Sequence, residues 1–192
     1  MWAALPAAPG VFMFTSLKSL QLAAISAATL ISMSVAGHAN DRAFFESVSG
    51  QWKGPGEIVA GKYKGTKFVC NLAGGPTNAR EAGVTLDGTC RVGVFNQKMS
   101  AVIQKKGKSY TGRFLDGAAG EGLDVVSGRV SGDKVVVGIN RKKLDGAMIA
   151  QLNDPETMNV TISVKVGEQM VPVIGMTLKR SLDSIATGSI KN

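Results

Sequence analysis

The feature that most constrains the fold is a repeated alternation of apolar and polar residues along the chain. From Met158 to Val166 every second residue is Met, Val or Ile, and the residues between them are Asn, Thr, Ser and Lys. This period of two is typical of a β-strand with one buried face. Similar runs predict ten strands, at 51–60, 65–72, 83–94, 99–105, 109–115, 122–130, 133–140, 144–152, 157–166 and 170–180.

The segments between these runs are short and rich in turn-forming residues. Examples are Gly61–Lys64 and Ser131–Asp133, and the chain holds 24 glycines among 192 residues, against an average frequency of about 7%. Short connections join neighbouring antiparallel strands, which indicates an all-β barrel or sandwich. We expect an antiparallel up-and-down β-barrel of eight to ten strands, with a short helix at 41–49 packed over one end.

The N-terminal segment is typical of a secretory signal peptide. Residues 1–39 hold one charged side chain, Lys18, and then a long apolar stretch. Small residues at −3 and −1 predict cleavage after Ala39, with a second site at Ala36, and we expect the true start at Met13. A transmembrane anchor is the alternative, but the stretch is short, rich in Ala and Ser, and lacks a basic flank.

Cleavage at this site defines the organisation and the compartment of the mature protein. We expect a single β-barrel domain at 40–180, a loose C-terminal tail at 181–192, and a periplasmic or secreted location without a stable transmembrane anchor.

The same cleavage removes His38, the one histidine of the chain. A mature protein without histidine excludes Ser-His and Cys-His catalysis, His-ligated haem and most zinc sites. No spacing among the acidic residues singles out a pair for hydrolysis. We therefore expect no enzymatic activity, no cofactor and no metal site.

Two cysteines, Cys70 and Cys90, remain in the mature part. In an exported protein two cysteines usually form a disulfide, and the alternative is two buried free thiols. If 65–72 and 83–94 are adjacent antiparallel strands with Cys70 opposite Cys90, Phe68 faces Val92 and Thr66 faces Val94, a register that is consistent with the buried faces of both strands. The sequence therefore predicts a structural disulfide, and the absence of a C-x-x-C motif argues against redox catalysis.

The first and last predicted strands carry a pair of motifs that resembles the lipocalin (calycin) family. Gly50-Gln51-Trp52 opens the first strand, and Leu178-Lys179-Arg180 closes the last. The resemblance implies a closed barrel in which Arg180 lies across the Trp52 ring as packing at the barrel end. Lipocalins usually have eight strands, so ten strands would be similar to a fatty-acid-binding type of barrel. The body also resembles uncharacterised small exported bacterial proteins.

The distribution of basic residues predicts a positively charged barrel end. The chain has a formal net charge of +8. In an up-and-down barrel alternate hairpins share an end, and the hairpins at the end opposite Trp52 hold six basic residues. Acidic residues at the same end (Asp116, Glu121 and Glu168) reduce this charge, and the alternative is a merely solvated rim. The predicted basic mouth consists of Lys62, Lys64, Lys98, Arg141, Lys142 and Lys143.

Two function classes follow from these features. The first is an exported lipocalin-like barrel that binds a small apolar or anionic amphiphilic ligand, in a cavity lined by inward residues such as Ile58, Phe68, Val92, Phe114, Val160, Ile162 and Met176. The alternative is a non-enzymatic envelope protein that acts through its surface. Nucleic acid is the poorer partner for an exported chain with few aromatic residues near its basic turns. The sequence leaves the ligand and the oligomeric state open.

Overall fold

A computed structural model describes residues 36–77, 81–115 and 122–181 of the chain, all within one compact unit, Ala36–Asn192. The predicted signal segment up to residue 35 and most of the predicted tail lie outside the described residues. The elements are α1 (Ala36–Ser47), β1 (Gly50–Ile58), β2 (Lys67–Pro76), β3 (Gly83–Val92), β4 (Phe95–Lys106), β5 (Ser109–Leu115), β6 (Leu123–Ser131), β7 (Lys134–Arg141), β8 (Leu144–Asp154), β9 (Thr157–Val166) and β10 (Gln169–Arg180).

The strands form a closed antiparallel up-and-down barrel. Each strand pairs with the next one along the chain, and β1 pairs with β10 to close the sheet. The predicted barrel is confirmed, with ten strands, and a sandwich is excluded. Glycine supplies the left-handed backbone in several of the tight turns, with φ of 58° at Gly93 and 59° at Gly167, and Lys142 adopts it in the β7–β8 turn, with φ of 55°.

The interior of the barrel holds the apolar residues of the alternating pattern. Trp52, Cys70, Ile103, Val137 and Leu178 have the most completely buried side chains. Burial of one face of every strand is the main source of stability of such a fold, at about 25 cal/mol for each Å² of apolar surface removed from water.

Two glycines allow neighbouring strands to approach closely on the inner face. A Cβ atom at Gly54 would lie 2.0 Å from the Thr177 backbone oxygen, and one at Gly88 would lie 2.1 Å from the Asn71 oxygen. Only glycine fits these positions without movement of the adjacent strand. They therefore permit the strong coiling that closes the barrel.

Helix α1 lies at the end of the barrel where β1 begins. The sequence predicted a helix at 41–49, and the helix spans Ala36–Ser47, so the predicted cleavage point after Ala39 falls inside it. Within the described part of the chain, no helix combines the length and apolar character that a membrane crossing requires.

The predicted disulfide joins β2 and β3. Cys70 and Cys90 are directly opposite each other in the β2–β3 register, and their sulfur atoms are bonded. The Cys70 side chain is completely buried and faces the interior, where its Sγ lies 4.0 Å from Met176 Sδ. The bond therefore belongs to the barrel wall, and the prediction of a structural disulfide is confirmed.

Loss of the disulfide should destabilise the barrel without changing its architecture. The bond closes a sequence separation of 20 residues, for which restriction of the unfolded chain contributes about 3 kcal/mol. We expect the Cys70→Ala/Cys90→Ala variant to lose about that free energy of unfolding in urea titrations, with an unchanged far-UV spectrum. Two thiols that react with an alkylating reagent when the unreduced protein is unfolded in urea would contradict the assignment.

Candidate functional site

The barrel has two ends of different construction. The helix end is where β1 begins and β10 finishes, and it carries α1. The far end consists of the connections β1–β2, β3–β4, β5–β6, β7–β8 and β9–β10, because successive strands run in opposite directions. A ligand inside the barrel would therefore lie between α1 and the far end.

Trp52 and Arg180 form the centre of the helix end. The Trp52 ring is completely buried, and its Nε1 donates a hydrogen bond of 2.9 Å to the Val48 carbonyl oxygen. The Arg180 guanidinium lies over this ring, with its carbon 4.3 Å from the ring centroid. Trp52 and Arg180 are also register partners in the β1–β10 ladder, so the stacking reinforces the strand pair that closes the barrel.

Arg180 also binds the chain that leaves α1. Its Nη1 donates to the Ser49 carbonyl oxygen at 2.6 Å, and its Nη2 donates to the Ser47 carbonyl oxygen at 2.7 Å. Its Nε donates to the Pro155 carbonyl oxygen at 3.0 Å in the β8–β9 turn. All three bonds go to backbone atoms. The structure therefore places Trp52 and Arg180 in a packing arrangement, with no free polar atom directed at a ligand.

A cluster of polar side chains, which sequence reasoning missed, fastens α1 to the β4–β5 hairpin. The Asp41 carboxylate accepts hydrogen bonds from Tyr110 Oη at 2.7 Å and from Lys105 Nζ at 2.5 Å. The Asp41 and Tyr110 residues are 8% and 3% exposed. Asp41 is 64 residues from Lys105 and 69 residues from Tyr110 in the sequence. The only sequence feature that pointed to this contact was a carboxylate on the helix predicted to cover the barrel end.

The chemistry of this cluster is structural. Burial raises the pKa of the Tyr110 hydroxyl, and the hydrogen bond to Asp41 and the charge of that carboxylate raise it further. Tyr110 therefore remains a proton donor to Asp41 throughout the physiological pH range. Its partners are satisfied, and among the described residues no buried side-chain polar atom lacks a hydrogen bond.

An apolar cavity of about 120 Å³ lies in the barrel next to α1. Four flexible methionines contribute to its wall, and Ser100 is the one polar residue among its lining residues in the described part of the chain. The ring-bearing and methionine side chains around it are Phe44, Phe45, Trp52, Phe114, Met99, Met148, Met158 and Met176.

The residues that line the cavity differ in part from those predicted from the sequence. Of the inward residues predicted to line it, Phe114, Val160, Ile162 and Met176 do so. The others, Ile58, Phe68 and Val92, sit nearer the far end of their strands and do not contribute to the wall. The open volume is therefore concentrated toward the helix end.

The size of the cavity limits what it can hold. Pockets for drug-sized ligands measure about 300–1,000 Å³, whereas this cavity has about 120 Å³. An apolar cavity of about 150 Å³ stays dry and accepts benzene or xenon. The geometry therefore fits a molecule of roughly one small ring, and does not fit a complete amphiphile.

The predicted basic mouth lies at the far end, away from the cavity. None of its six residues is among the described residues that line the cavity. Lys62 lies 5.5 Å from the centroid of the Tyr63 ring, and Arg141 Nε donates to the Gly122 carbonyl oxygen at 3.3 Å. Lys64, Lys142 and Lys143 occupy exposed turn positions.

Lys98 requires a correction. It was expected in the connection between two strands, but it lies on β4, opposite Thr89 of β3. The reason is that β4 begins at Phe95, four residues earlier than the alternating pattern indicates, since the β3–β4 hairpin turns tightly at Gly93 and Val94. In the described part of the chain, no group of three His, Cys, Asp or Glu side chains is arranged to hold a metal ion.

Comparisons with known proteins identify the fold and no family. No family model matches the chain, and no curated protein matches it. The crystal structure of Rv2717c from M. tuberculosis is similar, with a TM-score of 0.53 and 12% sequence identity over 74% of this chain and 98% of that one. At this identity the likeness shows a shared fold, consistent with a calycin-like barrel.

The Asp41–Tyr110 contact predicts a specific dependence of stability on alkaline pH. The folded state raises the pKa of Tyr110 above its ordinary value of 10.0, so the stabilisation is complete below that pH and is lost as the pH rises beyond it. We expect Tyr110→Phe to lower the free energy of unfolding by about 1–3 kcal/mol near neutral pH. The loss of stability above about pH 10 should be shallower in this variant than in the wild type.

Urea unfolding at a series of pH values, with the wild type and Tyr110→Phe measured side by side, tests this expectation. Equal slopes of stability against pH for the two proteins would show that Tyr110 does not carry the effect.

Proposed function

We propose that this protein is a non-enzymatic β-barrel that binds one small apolar molecule in the cavity beside α1. The supporting observation is the cavity itself, about 120 Å³ in volume and lined almost entirely by apolar side chains. Such a site binds by removing apolar surface from water and by dispersion contacts, and it needs no charged group.

The composition of the wall supports a small ligand of loosely defined shape. Met99, Met148, Met158 and Met176 have three rotatable bonds each and polarizable sulfur atoms, so they adapt to the outline of a bound molecule. A ring or short alkyl group enclosed there would have no hydrogen bond to lose. The anionic amphiphile considered from the sequence is less well supported, because the basic residues lie away from the cavity.

The proposal places this activity outside the reducing cytoplasm. The Cys70–Cys90 disulfide supports this location, because structural disulfides persist in oxidising compartments. The signal-like segment at 1–39 also supports export from the cytoplasm. We therefore propose that the mature barrel functions in the periplasm or beyond it.

The alternative function, an envelope protein that acts through its surface, is supported by the small volume of the cavity. A barrel whose interior is nearly filled can act only through its outer face. Benzene distinguishes the two functions, because its size suits the cavity and it lacks any group that a charged surface would attract.

Benzene should stabilise the wild-type protein, and a variant with a filled cavity should not respond. Ala150 is buried and lines the cavity, so Ala150→Leu places three additional carbon atoms in it. Ligand at about 100 times its Kd adds about 2.7 kcal/mol to the stability. We expect a saturable rise of Tm with benzene in the wild type and little or no rise in Ala150→Leu.

Ala147→Leu is the matched control. Ala147 lies on the same strand, β8, on the opposite face from Ala150, and is outside the cavity wall. This variant should respond to benzene like the wild type. No benzene effect in the wild type, or an equal effect in Ala150→Leu, would refute the binding function.

A further inference from the structure

Exposed apolar side chains are concentrated at the far end of the barrel. Among the described residues, nine of the thirteen large hydrophobic residues with exposed side chains lie in or beside its connections, and the other four lie within strands of the wall. Solvent exposure of so many apolar groups at one end is typical of a contact surface. The nine residues are Val59, Tyr63, Val92, Val94, Phe95, Leu115, Leu144, Val166 and Met170.

The β3–β4 hairpin carries the most exposed members of this group. Val94 is 86% exposed and Phe95 is 78% exposed, next to the turn at Gly93. Every residue from Arg91 to Lys98 is exposed. Within the described residues, the β4–β5 ladder ends at Ser100, so the hairpin continues beyond the last paired residue of β5. The apolar tip of the hairpin is open to solvent.

The connections at the same end also carry basic side chains. The described turns of the far end hold four lysines, and the one acidic residue among them, Glu168, forms an ion pair of 3.5 Å with Lys165. The β5–β6 connection adds Asp116 and Glu121 in the sequence. The four turn lysines are Lys62, Lys64, Lys142 and Lys143.

We propose that the far end docks on the surface of an anionic lipid bilayer. The Val94–Phe95 tip enters the boundary between headgroups and acyl chains, and the turn lysines contact the anionic headgroups. Insertion of apolar groups and attraction of lysines to anionic lipid act together in this mode of binding. The proposal goes beyond the binding of a molecule in the cavity and does not depend on it.

The arrangement favours a bilayer over other partners. The apolar groups are distributed over separate connections around the barrel rather than gathered in one groove, and a fluid surface can contact all of them at once. A protein partner would need complementary shape at each tip. The lysines supply the charge complementarity that selects anionic over neutral lipid.

Vesicle flotation tests this proposal with two sets of variants. We expect the purified protein to float with vesicles of equal parts phosphatidylglycerol and phosphatidylcholine, and about tenfold less with pure phosphatidylcholine. Val94→Ser/Phe95→Ser and Lys64→Glu/Lys143→Glu should each weaken binding to the anionic vesicles by about tenfold. Added salt should weaken the electrostatic part.

Matched control variants lie elsewhere on the barrel. Val126→Ser removes an exposed apolar side chain from the wall, and Lys106→Glu/Lys108→Glu reverses two charges beside the β4–β5 turn at the helix end. Both should float like the wild type. Far-UV spectra and Tm values measured alongside would show that all variants are folded.

A second measurement locates the inserted segment. The fluorescence of the tryptophan introduced by Phe95→Trp should be quenched by brominated lipid in anionic vesicles. The fluorescence of the tryptophan introduced by Val126→Trp should not be quenched. No flotation of the wild type, or equal loss in the control variants, would overturn the proposal. So would a concentration-dependent dimer that Val94→Ser/Phe95→Ser abolishes without any vesicle binding, since this would assign the surface to a second copy of the chain.

Discussion

The closed end of the barrel depends on the stacking of Arg180 on Trp52, which joins the first strand, the last strand and the segment after α1. The Arg180 guanidinium, on the last strand, covers the Trp52 ring of the first strand. It also donates hydrogen bonds to the Ser47 and Ser49 carbonyl oxygens at the end of α1. A cation–π contact contributes about 0.5–2 kcal/mol depending on its exposure, and the Arg180 side chain is 21% exposed. Because Trp52 and α1 also form part of the cavity wall, the same contact fixes the floor of the proposed binding site.

The two ends of the barrel differ in how their polar and apolar side chains are accommodated. At the helix end, the charge of Asp41 is paired with Lys105 and hydrogen-bonded to Tyr110, so this polar group next to the apolar interior has its bonding partners. At the far end, Val94 and Phe95 remain exposed although they could lower the free energy by burial. The helix end is therefore held by packing and hydrogen bonds, and the far end exposes the apolar side chains on which the proposed docking depends.

Much of the fold could be predicted from the sequence, because each strand carries its own signal. The alternation at Met158–Val166 indicates which face is buried, and the same parity puts Cys70 and Cys90 on the buried faces of their strands, where the β2–β3 register pairs them. Contacts between distant segments gave no comparable signal, so the bonds of Asp41 were missed and Lys98 was assigned to a turn. The cavity volume could not be predicted, since it depends on how the side chains pack together in the closed barrel.

The central claim is that the barrel contains an apolar cavity next to α1 with room for one small molecule. A crystal structure determined under xenon pressure tests it most directly, because xenon occupies apolar cavities of this size and scatters strongly. The account predicts xenon density bounded by Trp52, Met148 and Met158, with the surrounding side chains unmoved. An interior without xenon, or with ordered water in that position, would contradict it.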